Sequence, residues 1–211
     1  MINERTTLTN KDCQIITIEG IDGSGKTTTV DAVVDKMKNI GYKAKHFVVS
    51  SNYNVYWEIV EELQKKGLID NSTNQILHNL AFLTYANTIL IDLMNNNDFV
   101  ITEWYTYGKL VLSDLYEKNS RSKPLIQSFK EHHQLIEPDY SFYLDISAEE
   151  SYKRIMNRND RKESKESLEM LKKAILLWKP YLEQYKIEKI DALKSTEEIS
   201  NIILKRVIKW S

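Results

Sequence analysis

The chain alternates between short apolar runs and longer stretches with apolar residues at helical spacing. The runs predict five buried strands, at residues 14–19, 43–50, 98–103, 140–146 and 187–190. The helical spacing predicts helices over residues 26–39, 55–66, 74–95, 108–118, 125–135, 148–157, 167–184 and 196–209. Strands that alternate with helices in this way are typical of an α/β fold with a parallel sheet covered on both faces.

Length and composition fit one globular domain. The chain has 211 residues, of which 42% are hydrophobic and 28% charged, so it can bury a sizeable core. No repeat, linker or low-complexity tract divides it. We therefore expect a single domain over residues 1–211.

Charge and cysteine content narrow the choice of partners. The 29 Lys and Arg residues nearly balance the 30 Asp and Glu residues, which argues against a surface for nucleic acid. Cys13 is alone, so an intrachain disulfide and a cysteine-built zinc site are excluded. No apolar run approaches the ~20 residues that span a bilayer, and the first residues lack a signal-peptide pattern. We expect a soluble, cytoplasmic protein that binds neither nucleic acid nor membrane.

Residues 20–27, Gly-Ile-Asp-Gly-Ser-Gly-Lys-Thr, match the phosphate-loop pattern G-x-x-x-x-G-K-[ST] in full. Glycines let successive backbone N–H groups surround phosphate oxygens, and the following helix adds its positive end. Lys26 then supplies a charge to the β- and γ-phosphates, while the Thr27 hydroxyl can ligate Mg²⁺. The alternative is a chance glycine turn, but the strand before the motif and the helix after it favour nucleoside-triphosphate binding.

Three segments resemble the thymidylate kinase family of P-loop kinases. Residues 18–28 are similar to its phosphate loop, residues 138–146 to its fourth strand, and residues 154–163 to its arginine-bearing lid. The resemblance covers residues 14–208 and is most specific in the nucleotide-binding half. It implies an ATP- and Mg²⁺-dependent kinase with a five-stranded parallel sheet flanked by helices. It also implies a lid at about residues 154–166.

The resemblance and the phosphate-loop chemistry together imply a set of site residues. Those expected to bind ATP are Gly20, Asp22, Gly23, Ser24, Gly25, Lys26, Thr27, Thr28 and Arg154. Those expected to be catalytic are Lys26, Asp22, Glu103, Arg158 and Arg161, and those expected to hold the metal are Thr27 and Glu103. Glu103 ends the third strand, and ligands of parallel sheets lie at the carboxyl ends of strands. The alternatives are a solvated strand end for Glu103, a turn residue for Asp22 and a solvated charged face for the arginines.

The sequence departs from the family where the acceptor phosphate would lie. The D-R-[YH] motif appears as Glu103-Trp104-Tyr105, the helix arginine aligns with 85–87, and the R-E-P-G loop is replaced by 50–53. In family members those arginines hold the acceptor's monophosphate. Since a phosphate without a bidentate arginine loses its best partner, we expect thymidylate to be a poor acceptor. An uncharged hydroxyl compound suits this site better.

Aromatic residues are frequent in the three segments that should face the acceptor, at about residues 50–57, 78–87 and 103–112. The residues expected to contact the acceptor are Tyr53, Trp57, Phe82, Tyr85, Trp104 and Tyr105. Each of them could instead belong to the core. We thus predict phosphoryl transfer from ATP to a small hydroxyl- or phosphate-bearing acceptor that resembles a nucleoside or nucleotide. An ordinary thymidylate kinase with a rearranged phosphate site, a catalytically silent nucleotide-binding protein and a homodimeric assembly stay open.

Overall fold

A computed structural model describes residues 13–48, 54–131, 135–157 and 167–208, with the backbone alone at 54–57, 84–88 and 118. Five described strands form one sheet in the order β2-β3-β1-β4-β5, and every neighbouring pair is parallel. The strands are β1 Gln14–Glu19, β2 Ala44–Phe47, β3 Phe99–Glu103, β4 Tyr140–Asp145 and β5 Glu188–Asp191. The predicted five-stranded parallel sheet is confirmed, with β2 beginning at Ala44 and ending at Phe47, while residues 49–50 of its predicted range lie outside the described residues.

The helices follow the predicted order, with shifted ends. They are α1 Lys26–Asn39, α2 Asn54–Lys65, α3 Asn71–Asn96, α4 Thr106–Tyr116, α5 Lys123–Glu131, α6 Ala148–Met156, α7 Leu168–Gln184 and α8 Thr196–Val207. A short 3₁₀ helix covers Lys118–Ser120. Helix α3 begins three residues earlier than expected, because the Asp70 side chain accepts a hydrogen bond from the Thr73 N–H and caps it. None of the helices in these ranges combines the length and apolar character needed to cross a membrane.

Strand β1 lies at the centre of the sheet, and its side chains are the core of the fold. Ile15, Ile16 and Ile18 are at most 1% exposed, as expected for a parallel strand covered on both faces. Helix α1 packs with α8, whereas α4 packs with α3, α5 and α7. Since crossovers between parallel strands are right-handed, the connections after β1 and β3 leave toward opposite faces. This divergence makes the carboxyl ends of β1 and β3 a topological switch point, where open α/β sheets bind their ligands.

Candidate active site

The phosphate loop connects β1 to α1 at this switch point. Gly23 has φ +79°, and a Cβ there would lie 2.6 Å from the Ser151 carbonyl oxygen, so α6 packs directly against the loop. The Ser151 hydroxyl also donates to the Asp22 carbonyl oxygen. Gly25 has φ +95°, and apart from its chain neighbours no atom of the described residues lies within 4 Å of where its Cβ would be. The loop is therefore braced on one side by α6 and open at Gly25, an arrangement that fits a bound phosphate chain.

The Lys26 side chain folds back over the loop. Its Nζ donates to the Ile21 carbonyl oxygen at 2.9 Å and lies 3.6 Å from Asp22 Oδ1. The same ammonium lies 4.4 Å from the centre of the Trp104 ring and is nearly buried. The sequence-predicted residues Lys26, Asp22 and Trp104 therefore meet at one point, beside the open side of the loop.

The remaining loop residues divide into buried and exposed ones. Gly20 and Ser24 are buried, and the Ser24 hydroxyl has no hydrogen-bond partner among the described residues. Thr27 and Thr28 are exposed in the first turn of α1. An unpartnered hydroxyl inside a phosphate-binding motif is a group that a ligand oxygen could satisfy.

Thr27 and Glu103 meet across the switch point. The Thr27 hydroxyl lies 2.9 Å from Glu103 Oε1 and 3.1 Å from Oε2. Strand register explains the contact, since Glu103 at the end of β3 is paired with Ile18 of β1. A hydroxyl and a carboxylate are the oxygen ligands that Mg²⁺ prefers, so this pair fits the metal that accompanies a nucleotide. In the part of the chain that the structure describes, no group of three or more His, Cys, Asp or Glu residues forms a metal site. A metal ion here would be coordinated by phosphate oxygens as well as by the protein.

A buried carboxylate, Glu19, lies directly before the phosphate loop and was not predicted. Its Oε1 accepts hydrogen bonds from the Thr17 hydroxyl at 2.9 Å and the Tyr105 N–H at 3.1 Å. Its Oε2 lacks a well-formed hydrogen bond among the described residues. Burial raises the pKa of the Glu19 carboxyl to about 7, against the opposing effects of Thr17 and Lys26. The signal was available, because a carboxylate ends a strand whose buried positions include three isoleucines.

Lys109 is a second buried charge, on α4. Burial lowers the pKa of its ammonium to about 8, and the Glu19 carboxylate acts in the opposite direction. The ammonium lies 5.6 Å from the centre of the Phe82 ring. A buried lysine beside an aromatic wall is a cation that an acceptor anion could use.

Trp104 occupies the turn between β3 and α4 with φ +52°, a left-handed conformation that is uncommon for a residue with a large side chain. Gly108 makes room for it, because a Cβ there would lie 2.8 Å from the Trp104 ring and 2.7 Å from Glu19 Oε2. Phe82 and Tyr105 are at most 1% exposed and contact each other edge to face, with ring centres 5.5 Å apart. These two side chains belong to the core, and Trp104 remains partly exposed.

Of the predicted lid, residues 154–166, the structure describes only residues 154–157. Arg154, in the last turn of α6, donates from Nη2 to the Ala192 carbonyl oxygen at 3.0 Å and lies 3.4 Å from Glu150 Oε1. It therefore connects the lid base to the segment after β5. The predicted residues Tyr53, Arg158 and Arg161 lie outside the described residues, as do the side chains of Trp57 and Tyr85.

His46 on β2 was also not predicted, because a single histidine in a short strand carries no pattern. Its Nδ1 lies 2.9 Å from Asp31 Oδ1, and its Nε2 lies 3.8 Å from Glu103 Oε1. The ring is 14% exposed and Glu103 is 12% exposed. A line of polar side chains therefore extends from Asp31 through His46 and Glu103 to Thr27.

Comparisons with known proteins lead to one family. A family model described as thymidylate kinase matches residues 18–203. A thymidylate kinase of Prochlorococcus marinus (strain AS9601) is 27% identical over 90% of this chain and 93% of its own length. The thymidylate kinase of Plasmodium falciparum (isolate 3D7) is 26% identical over 94% of this chain and 91% of its own length. The solved structure of thymidylate kinase from Candida albicans matches the fold with a TM-score of 0.72 at 20% identity, covering 93% of this chain and 91% of that one.

Proposed function

The chain belongs to the thymidylate kinase family of ATP-dependent kinases, and we propose that it transfers the γ-phosphoryl group of Mg²⁺-ATP to a small hydroxyl- or phosphate-bearing acceptor that resembles a nucleoside or nucleotide, with an uncharged hydroxyl favoured. The observation that supports this most strongly is the contact of Thr27 with Glu103. It brings a metal-binding hydroxyl and a strand-end carboxylate together beside Lys26. These are the groups that positioning and charge stabilisation of a phosphoryl group require.

The phosphate loop and α1 would hold the nucleotide. The loop has open space at the Cβ position of Gly25, where a phosphate chain could bind, and α6 braces the loop through Gly23. Lys26 would exchange its contact with the Ile21 carbonyl oxygen for the β- and γ-phosphate oxygens. Mg²⁺, when bound, neutralises charge on those oxygens, and Thr27 and Glu103 are the residues that would hold it. Arg154, at the base of the predicted lid, would contribute to ATP binding.

The acceptor would enter beside β3 and α4. Glu103 ends β3 beside Thr27, and besides holding Mg²⁺ through water it could accept the proton of an acceptor hydroxyl as transfer proceeds. The partly exposed Trp104 offers a ring for a planar acceptor. Because Phe82 and Tyr105 are buried, they would support this wall from beneath instead of contacting the acceptor.

A second candidate is an ordinary thymidylate kinase with a rearranged phosphate site. The names of the relatives favour it, and so does Lys109, whose buried ammonium is a cation in the neighbourhood of the missing arginines. The two candidates differ in the charge of the acceptor and share the nucleotide half of the site. Acceptor identity therefore separates them without bearing on the phosphate-loop chemistry.

A coupled assay of ADP release, with and without EDTA, tests the proposal. The acceptor panel contains nucleosides, nucleoside monophosphates and other small hydroxyl compounds. Thr27→Val keeps the shape of the side chain and removes its hydroxyl, so it should lower kcat/KM by at least about 10²-fold. Thr27→Ser restores the hydroxyl and should keep most of the activity. The proposal fails if ADP release never depends on an acceptor, or if Thr27→Val behaves like the wild type.

A further inference from the structure

The polar line behind the metal ligands has an unsatisfied atom at its centre. His46 Nε2 is buried and has no hydrogen-bond partner among the described residues, although it lies 3.8 Å from Glu103 Oε1. On the other side of the ring, Nδ1 contacts Asp31 Oδ1 at 2.9 Å. The ring is thus fixed by one carboxylate and aimed at another.

The Asp31 contact defines which atom faces Glu103. An ionised carboxylate only accepts hydrogen bonds, so Nδ1 must carry the proton that the Asp31 contact uses. The ring plane and the direction of Nε2 are then set by a bond to α1, a separate element from β3. With the proton on Nδ1, Nε2 is an acceptor, and the 3.8 Å to Glu103 Oε1 can be spanned by a water that donates one hydrogen to Nε2 and the other to the carboxylate.

Glu103 needs a second partner during the reaction. Both of its oxygens now contact the Thr27 hydroxyl, and a hydroxyl that turns toward a metal ion leaves them. Among the residues that the structure describes, His46 is the other polar side chain near Glu103, with Nε2 3.8 Å from Oε1. Groups behind metal ligands commonly fix their orientation in this way.

We propose that His46, oriented by Asp31, is a positioning residue. It holds the Glu103 carboxylate in place when a Mg²⁺-nucleotide binds beside Thr27. His46 touches neither nucleotide nor acceptor in this arrangement and acts through Glu103. The inference rests on the proposed function, because it presupposes that Mg²⁺ binds beside Thr27 and Glu103. The inference adds that a nitrogen at the Nε2 position of residue 46 is required for Mg²⁺ to tighten nucleotide binding.

Two isosteric variants separate the two edges of the ring. His46→Asn places its amide near the Nδ1 position and keeps a partner for Asp31, whereas His46→Gln places its amide near Nε2. Calorimetric titration with ADP, in Mg²⁺ and in EDTA, measures how much the metal tightens nucleotide binding. We expect His46→Asn to reduce this tightening by about 10-fold and to leave the affinity in EDTA unchanged. His46→Gln should retain most of the tightening.

The exposed neighbour Lys45 supplies the control, and Lys45→Gln should match the wild type in both titrations. Asp31→Asn, at an exposed position, should give a smaller loss of the same kind because it frees the ring without removing it. If Mg²⁺ tightens ADP binding by the same factor in all four variants, the inference is overturned. It is also overturned if His46→Asn loses as much ADP affinity in EDTA as in Mg²⁺, because that result indicates a structural role. A wild type that shows no Mg²⁺-dependent nucleotide binding would instead overturn the proposed function itself.

Discussion

The Lys26 ammonium lies over the Trp104 ring, 4.4 Å from its centre. The first residue comes from the nucleotide half of the site and the second from the turn that would face the acceptor. Trp104 holds this position with φ +52°, a conformation that costs about 1–2 kcal/mol for an L-residue. Backbone strain of this kind collects at functional sites. The contact therefore couples the two halves of the site through one cation and one aromatic ring.

Replacement of Lys26 by alanine should nearly abolish phosphoryl transfer. The lysine would neutralise charge that develops between the β- and γ-phosphates, so we expect Lys26→Ala to lower kcat/KM by at least about 10²-fold, or ~2.7 kcal/mol. Steady-state kinetics of the folded variant measure the loss. Lys38→Ala removes an exposed cation from the same helix and should leave the kinetics unchanged. Kinetics like those of the wild type in Lys26→Ala would contradict the phosphate-loop assignment.

The stability of the fold should decrease as pH rises from about 5 to 7, because of Glu19. The pKa of the Glu19 carboxyl is about 7 in the folded chain, and its ordinary value of 4.5 applies to the unfolded chain. The folded state therefore holds the proton more tightly. This contribution is complete below the lower pKa and is lost as pH rises through the higher one, on the order of 3 kcal/mol.

Denaturant titrations at several pH values measure this effect. Lys109, whose pKa is lowered to about 8, stays protonated in the folded and the unfolded state below pH 7. It therefore does not contribute to the change in stability between about pH 5 and 7. Glu19→Gln keeps an acceptor for Thr17 and the Tyr105 N–H and should flatten the pH dependence. An unchanged slope in Glu19→Gln would show that other groups cause it.

Most of the fold could be predicted, because the buried strands of a parallel sheet appear in the sequence as contiguous apolar runs. Ile15, Ile16 and Ile18 are buried on both faces and read as a strand without any knowledge of their neighbours. The start of α3 was missed, because residues 71–73 are polar and carry no helical spacing. The cap at Asp70 sets that end by a local hydrogen bond.

The site was predictable only where a motif or a general rule placed its residues. The phosphate loop is contiguous, and the switch-point rule brought Glu103 to it although Thr27 is 76 positions away. The contact of His46 with Asp31 and Glu103 joins three separate elements, and no spacing in the sequence encodes that meeting. The pattern also could not separate the buried Tyr105 from the partly exposed Trp104, since both follow the same strand.

Arg161→Met should lower kcat more than it weakens ATP binding. Arg161 lies outside the described residues, and the prediction rests on the similarity of residues 160–163 to the family's lid signature. A lid arginine that acts mainly on transferred charge stabilises the transition state more than the ground state. Single-turnover rates and ATP titrations separate the two effects. Lys162→Met removes a neighbouring cation that lacks the planar fork and serves as the control. An unchanged kcat in Arg161→Met would place the residue on a solvated face.

Thymidylate should be a poor acceptor compared with an uncharged hydroxyl compound. Trp104 and Ala86 stand where the family has phosphate-binding arginines, and each lost charged hydrogen bond to phosphate forfeits ~1.5–3 kcal/mol. Two such losses amount to roughly 10²–10⁴-fold in thymidylate binding. The ADP-release assay with thymidine, thymidylate and the wider panel measures this directly, and Trp104→Arg should raise turnover of thymidylate above the wild type. If the wild type instead turns over thymidylate with kcat/KM near about 10⁴ M⁻¹s⁻¹ or above, and Lys109→Met abolishes that turnover, the buried lysine has replaced the arginines and the acceptor carries a phosphate.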